Sequence, residues 1–135
     1  MEKINALLFI TPKTELMCLS EDMSVRQAIE KMKVHSYMAT PVISKNGEYL
    51  GTITEGDLLW KLVQENGNIE ALENINIKKI IRKDYNTSVK VDVDTETIAS
   101  IITEQNFIPV VDDRNILMGI ITRKKILKEL LKDKA

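Results

Sequence analysis

Short apolar runs and apolar residues at helical spacing follow each other along the first half of the chain. Apolar, β-branched runs at residues 41–44 and 49–54 predict two strands, and the Asn-Gly pair between them suits a tight turn. From Val25 to Met32 the apolar residues recur every three or four positions, which predicts a helix. A short strand is predicted at residues 15–19. A second helix is predicted from Glu55 to Glu65, where Asn66 and Gly67 end it.

Both predicted helices begin with a capping pattern. Ser24 precedes Gln27 by three residues, and Thr54 precedes Asp57 in the same way, so each pair can satisfy the first helix N–H groups. The turn at Thr54 also offers free N–H groups and a positive helix end to an anion. The carboxylate of Asp57 can accept two hydrogen bonds from a ribose diol. These residues alone leave the cap and the ligand site as open alternatives.

The second half of the chain repeats this order. A shift of 68 residues aligns Pro41 with Pro109 and Thr54 with Thr122. The predicted elements of this copy are a strand at 88–93, a helix at 95–105, strands at 108–111 and 116–122, and a helix at 123–132. One β-α-β-β-α unit has too few strands to close a core alone. The repeat therefore predicts an α+β fold of two units packed sheet to sheet with pseudo-twofold symmetry.

Four segments are predicted from this repeat. They are an N-terminal arm at residues 1–12, a first repeat at 13–66, a linker at 67–76 and a second repeat at 77–135. The arm carries the apolar residues Leu7, Leu8, Phe9 and Ile10. We expect these side chains to be buried, in core packing or in a lid or dimer contact.

Composition and charge exclude several classes of function. The 19 basic and 20 acidic residues are interspersed and give a net charge of -1, so no nucleic-acid partner is expected. The single cysteine, Cys18, offers no multi-cysteine metal pattern and suits a reducing compartment. One histidine and no activated nucleophile pattern predict that the protein is not an enzyme. The N-terminal apolar run is too short for a membrane span, which predicts a cytoplasmic protein without a membrane partner.

The motif shared by the two copies carries a family resemblance. It consists of Pro-Val, a turn, Gly-x-Ile-Thr and a helix, at residues 41–59 and again at 109–127. In this doubled form the chain closely resembles a tandem pair of cystathionine-β-synthase (CBS) domains, a Bateman module, over about residues 10–132. It looks in particular like the small stand-alone CBS-pair proteins of low-GC bacteria.

The resemblance implies a sensor that regulates a separate partner protein, which remains unidentified. Its ligand would be an adenosine nucleotide (AMP, ADP, ATP or cyclic di-AMP), and no cofactor is required. The alternative is a protein-interaction or structural module whose clefts are vestigial and bind no physiological nucleotide.

The resemblance also implies which residues form the ligand site. Thr54 would lie at the phosphate or ribose, and Asp57 would bind the ribose hydroxyls. The other residues implied for this cleft are Thr52, Ile53, Thr87, Asn106, Phe107, Ile108, Thr122 and Lys124.

A second cleft is implied near Thr14, Met17, Met38, Ala39, Thr40 and Lys125. Lys125 stands where the second copy should have its acid, and a lysine cannot accept a hydrogen bond from a diol. This cleft is therefore expected to be empty, structural or shaped for a more anionic ligand. Because the first copy has Asp57 where the second has Lys125, we expect one high-affinity ligand per chain.

The last helix of each repeat is apolar on more than one face. The residues concerned are Leu58, Leu59, Trp60, Leu62 and Val63 in the first repeat, and Ile126, Leu127, Leu130 and Leu131 in the second. A helix that is apolar on two sides needs a second surface to bury. We therefore expect a homodimer, as CBS pairs similarly dimerise through helices.

Overall fold

The computed structural model describes residues 8–35, 39–83 and 86–132. Its strands are β1 (Ile10–Pro12), β2 (Leu19–Ser20), β3 (Ala39–Ile43), β4 (Tyr49–Thr54), β5 (Phe107–Val111) and β6 (Leu117–Thr122). Its α-helices are α1 (Val25–His35), α2 (Glu55–Gln64), α3 (Thr95–Ile102) and α4 (Arg123–Lys132). Short 3-10 helices lie at Lys13–Glu15, Ile69–Asn74 and Ile77–Lys79. The predicted α+β class with two sheets is confirmed.

The described residues divide into two compact units. One unit is formed by residues 17–83, and the other joins residues 8–16 to residues 86–132. The N-terminal segment therefore belongs to the unit that holds the second repeat. The repeat in the sequence did not indicate that this segment would join the unit of the second repeat.

The unit of residues 17–83 is built on the sheet β2-β3-β4. β2 pairs with β3 in parallel, and β3 pairs with β4 in antiparallel orientation. α1 packs on this sheet through Val25, Ala28 and Met32, which are buried with Leu19 and Ile53. The predicted linker contributes to the same core, because the side chain of Leu72 in its 3-10 helix is fully buried.

The other unit is built on the sheet β1-β6-β5, in which both pairings are antiparallel. β1 lies at the edge, where Ile10 pairs with Ile121. Phe9 and Ile10 pack against the core of this unit as expected, but Leu8 is 69% exposed. Leu8 therefore does not pack in the core, and a lid or dimer contact stays the prediction for this side chain.

The two repeats share an irregularity in their strand pairing. The β3–β4 register shifts between Val42 and Ile43, and the β5–β6 register shifts between Val110 and Val111, the aligned positions. Each shift lies beside a glycine, because Val42 pairs with Gly51 and Val110 pairs with Gly119. A bulge at the same place in both copies bends the strand pair that leads into the last helix.

Two of the predicted strands are shorter than expected. Of residues 88–93, only Val89 pairs with a strand, in a single bridge to Val110, and Val93 N–H donates to Lys90 O in a turn. Val91 and Val93 are apolar because they pack against the core, not because they extend a ladder. The strand predicted at 15–19 is reduced to β2, since residues 13–15 form a 3-10 helix. α3 ends at Ile102, three residues earlier than predicted.

Candidate functional site

The junction of β4 and α2 has the geometry of a complete capping box. Thr54 Oγ1 accepts a hydrogen bond from Asp57 N–H at 3.2 Å, and Asp57 Oδ2 accepts one from Thr54 N–H at 2.8 Å. The structural role that the sequence left open for Thr54 and Asp57 is therefore present. The capping box uses Asp57 Oδ2 and leaves Asp57 Oδ1 available to a different partner.

That second oxygen contacts a residue that the sequence analysis missed. Arg82 Nε lies 2.6 Å from Asp57 Oδ1 in an ion pair. The backbone of Arg82 is fixed to β4, because its N–H donates to Thr52 O at 3.0 Å and its O accepts from Thr52 N–H at 3.1 Å. Asp57 and Arg82 are 25 residues apart in the sequence, so no local pattern predicts their contact.

A cleft of about 410 Å³ opens beside the carboxylate. It is lined by Asp57, Trp60, Lys61, Gln64 and Ile80, all within the unit of residues 17–83. Its volume falls within the roughly 300–1,000 Å³ typical of small-molecule sites. The lining combines a carboxylate, an ammonium group and an aromatic ring. Such groups can accept hydrogen bonds from sugar hydroxyls, attract an anion and stack on a planar base.

Thr52 and Ile53 are positioned differently from Thr54. Both side chains are fully buried, and the Thr52 hydroxyl lies 2.7 Å from the hydroxyl of Tyr49. Burial raises the pKa of Tyr49 to about 12, and the hydrogen bond to Thr52 acts in the opposite direction. The hydroxyl of Thr52 therefore stabilises the interior of the unit, and a ligand role for Thr52 and Ile53 remains a proposal.

In the other unit, a buried glutamine positions two of the predicted ligand residues. Gln105 Nε2 donates to Thr87 O at 3.2 Å and to Phe107 O at 2.8 Å. Gln105 Oε1 accepts from Thr87 N–H at 2.8 Å. Thr87 and Asn106 are exposed, whereas Phe107 and Ile108 are buried in the strand. Sequence analysis missed Gln105, because an amide side chain near the end of a helix carries no distinguishing pattern.

The second repeat has only half of the capping box found in the first. Lys125 N–H donates to Thr122 Oγ1 at 3.1 Å, but Lys125 has no oxygen to accept a bond in return. Its ammonium group lies 3.7 Å from Glu129 instead. Lys124 is exposed in the first turn of α4, where a cation opposes the helix dipole. The two repeats therefore differ in charge at the same structural position.

The residues predicted for a second cleft belong partly to one unit and partly to the other. Thr14 is exposed in a 3-10 helix, while Met17 packs against the core of residues 17–83. Ala39 begins β3 and is partly buried. Thr40 is fully buried, and its hydroxyl makes no hydrogen bond within the part of the chain that the structure describes. Met38 lies outside the described residues.

Within residues 8–35, 39–83 and 86–132, no group of three or more His, Cys, Asp or Glu side chains is arranged to hold a metal ion. None of the helices described there has the length and apolar character needed to cross a membrane.

Comparison with known proteins places these features in a family context. The homoserine O-acetyltransferase of Methanocorpusculum labreanum is 31% identical in an alignment of 134 residues that covers 91% of this chain and 26% of that protein. The chain thus spans about a quarter of the length of this curated relative.

Two solved structures share the fold over nearly the whole chain. A CBS domain protein from Streptococcus pneumoniae matches with a TM-score of 0.85 and 27% identity, covering 92% of this chain and 84% of that one. CBSX2, solved in complex with AMP, matches with a TM-score of 0.76 and 25% identity, covering 94% and 96%. The CBS domain family matches residues 8–64 and 76–132. The chain therefore belongs to the CBS domain family and contains two CBS domains.

Proposed function

We propose that the chain is a regulatory module that binds an adenosine nucleotide and acts on a separate partner protein. The observation that carries the proposal is the carboxylate of Asp57, held at the start of α2 beside a cleft of about 410 Å³. The Asp57 carboxylate is the group that accepts hydrogen bonds from the ribose hydroxyls. Thr54 orients the carboxylate through the capping box.

The comparisons support an adenosine ligand and a role in regulation. AMP, which CBSX2 binds, contains the ribose diol that the Asp57 carboxylate suits. The curated relative is an enzyme, but this chain matches only 26% of its length. We propose that the shared part is regulatory and not catalytic. Roles for Thr87, Asn106, Phe107, Ile108, Thr122 and Lys124 in ligand binding belong to the same proposal.

A second candidate function is a protein-interaction module without a nucleotide. It is favoured by one observation: both oxygens of Asp57 already have partners within the chain.

A thermal-shift panel of AMP, ADP, ATP, cyclic di-AMP and S-adenosylmethionine separates the two functions. A specific ligand at a hundredfold excess over its Kd stabilises the folded state by about 2.7 kcal/mol. If none of the five ligands raises Tm, the interaction module is favoured.

Asp57→Ala is expected to weaken binding of the adenosine ligand by about 1.5–3 kcal/mol, the range for hydrogen bonds to a charged group. Calorimetric titration of the ligand identified in the panel measures this loss. The matched control is Glu55→Ala, because Glu55 lies in the same first turn and is exposed. Glu55→Ala removes one negative charge from the helix end without touching the capping box. Equal affinities for wild type and Asp57→Ala would show that Asp57 is only a cap.

The same titration reports how many ligands bind each chain. Lys125 replaces the acid of the first repeat, so we expect one high-affinity ligand per chain. Two equivalent sites for a mononucleotide would contradict this asymmetry.

We also propose that the protein is a homodimer. Leu59, Trp60 and Val63 form an exposed apolar stripe on α2, with the Trp60 side chain 66% exposed. On α4, Leu127 and Leu131 are exposed as well. Leu58 and Leu62 supply the opposite face, which packs against the core. Large apolar side chains on one helix face favour burial in an interface.

Trp60→Lys is expected to convert the dimer to a monomer at micromolar concentration, because a buried lysine would lose its hydration. Sedimentation velocity measures the change. Val34→Lys is the control, since Val34 is an apolar residue on α1 that is 78% exposed. A wild-type protein that sediments as a monomer would refute the proposed dimer.

A further inference from the structure

The carboxylate of Asp57 is nearly closed to solvent by contacts within its own unit. The side chain is only 9% exposed, with Oδ2 bonded to Thr54 N–H and Oδ1 bonded to Arg82 Nε. A ribose diol needs two acceptor positions that it can approach from the cleft. Because so little of this side chain is exposed, at least one of the two contacts must loosen before a diol can reach both oxygens.

The two contacts differ in how easily they can be released. The bond to Thr54 N–H is half of a capping box, so breaking it would unwind the start of α2. Arg82 is 46% exposed, and its long side chain can turn into water. Its backbone need not move, because both of its main-chain hydrogen bonds to Thr52 are independent of the guanidinium. The guanidinium is therefore the partner that can leave.

We propose that Arg82 is an internal competitor for the sugar-binding carboxylate, and that the ribose diol of the ligand displaces its guanidinium from Asp57. The inference rests on the proposed function, since it assigns Asp57 to the ribose. While the site is empty, the ion pair balances the negative charge of the carboxylate and fixes its orientation. Binding transfers Asp57 Oδ1 to the sugar and releases a cation to solvent beside the cleft.

This exchange gives the chain a signal that depends on the ligand. The 3-10 helix Ile77–Lys79 leads directly to the segment that carries Ile80, which lines the cleft, and Arg82. Occupancy of the cleft changes the charge presented by that segment without any change of fold. A partner with an acidic surface could distinguish the two states through the released guanidinium.

Calorimetry with adenosine tests the competition, because adenosine has the diol and no phosphate that Arg82 could attract. Arg82→Ala is expected to raise the affinity for adenosine about fivefold, the factor that corresponds to about 1 kcal/mol for a partly exposed ion pair. A purely structural role for Arg82 would lower affinity, so the direction of the change is decisive. Unchanged or weaker binding overturns the inference.

The control variant is Lys79→Ala, which removes an exposed cation from the neighbouring 3-10 helix and should leave the affinity unchanged. The same gain in Lys79→Ala would mean that overall charge, and not competition, causes the effect. A second measurement needs no variant. The NMR signal of Arg82 Nε–H should shift and exchange faster with water when adenosine saturates the protein. A signal that does not change on saturation overturns the inference.

The outcomes separate this inference from the proposed function. If Asp57→Ala abolishes adenosine binding while Arg82→Ala does not strengthen it, the nucleotide site stands and the competition is refuted. If adenosine, AMP and cyclic di-AMP bind to neither the wild type nor Arg82→Ala, both the site and the competition are refuted.

Discussion

Gly51→Ala is expected to destabilise the protein by about 3 kcal/mol, because a side chain there combines backbone strain with overpacking. Gly51 has a φ of +153°, which side chains rarely adopt. A Cβ at this position would lie 2.7 Å from Arg82 O and even closer to the Ile81 side chain. The backbone of Arg82 cannot withdraw without breaking its two hydrogen bonds to Thr52. Urea denaturation followed by circular dichroism measures the loss.

Gly56→Ala is the matched control for this prediction. Gly56 lies in the first turn of α2, and among the described residues an added Cβ would meet only Thr54 Oγ1, at 3.6 Å. Alanine favours a helix more than glycine does, so stability should rise by up to about 1 kcal/mol. Equal stabilities of Gly51→Ala and the wild type would show that the segment of Ile81 and Arg82 does not pack tightly on β4.

Gln105→Ala should cost about 3 kcal/mol, since it removes the partner of three backbone groups, one buried and two partly buried. Gln105 is 7% exposed, and its side chain bonds to Thr87 N–H, Thr87 O and Phe107 O. Thermal unfolding should show a clear fall in Tm.

Gln64→Ala serves as the control, because Gln64 is exposed and its amide oxygen only accepts a bond from Lys61 Nζ at 3.4 Å. Its replacement should change stability by less than about 0.5 kcal/mol. Gln105→Glu adds a second comparison, as it keeps the acceptor and loses the two donated bonds. If Gln105→Ala is as stable as Gln64→Ala, the amide does not hold residue 87 on β5.

Local chemistry made the helix starts of the candidate site predictable. Ser24 with Gln27 and Thr54 with Asp57 both form the capping boxes that the sequence indicated. A capping box depends on two residues that are three positions apart, so the local sequence is enough to predict it. The α+β class and the order of β3, β4 and α2 follow from the same kind of short-range pattern.

Contacts between distant residues were not predictable in this way. Arg82 reaches Asp57 across 25 residues, and Gln105 reaches Thr87 across 18. Both positions are polar residues in irregular segments, where periodicity says nothing about partners. The alternation of Val89, Val91 and Val93 was misleading for a related reason. Packing against a core requires apolar residues there, whether or not the backbone joins a ladder.

The pairing of β1 with β6 affects the order in which the chain can acquire its structure during synthesis. Residues 17–83 form a continuous stretch and contain every strand of their own sheet, so this unit can fold as soon as it leaves the ribosome. The edge strand at Ile10 must wait for Ile121, which lies 111 residues further along the chain. Such a long-range contact closes a large loop and forms slowly. Until then residues 8–16 are exposed to chaperones and proteases, although residues 17–83 can already be folded.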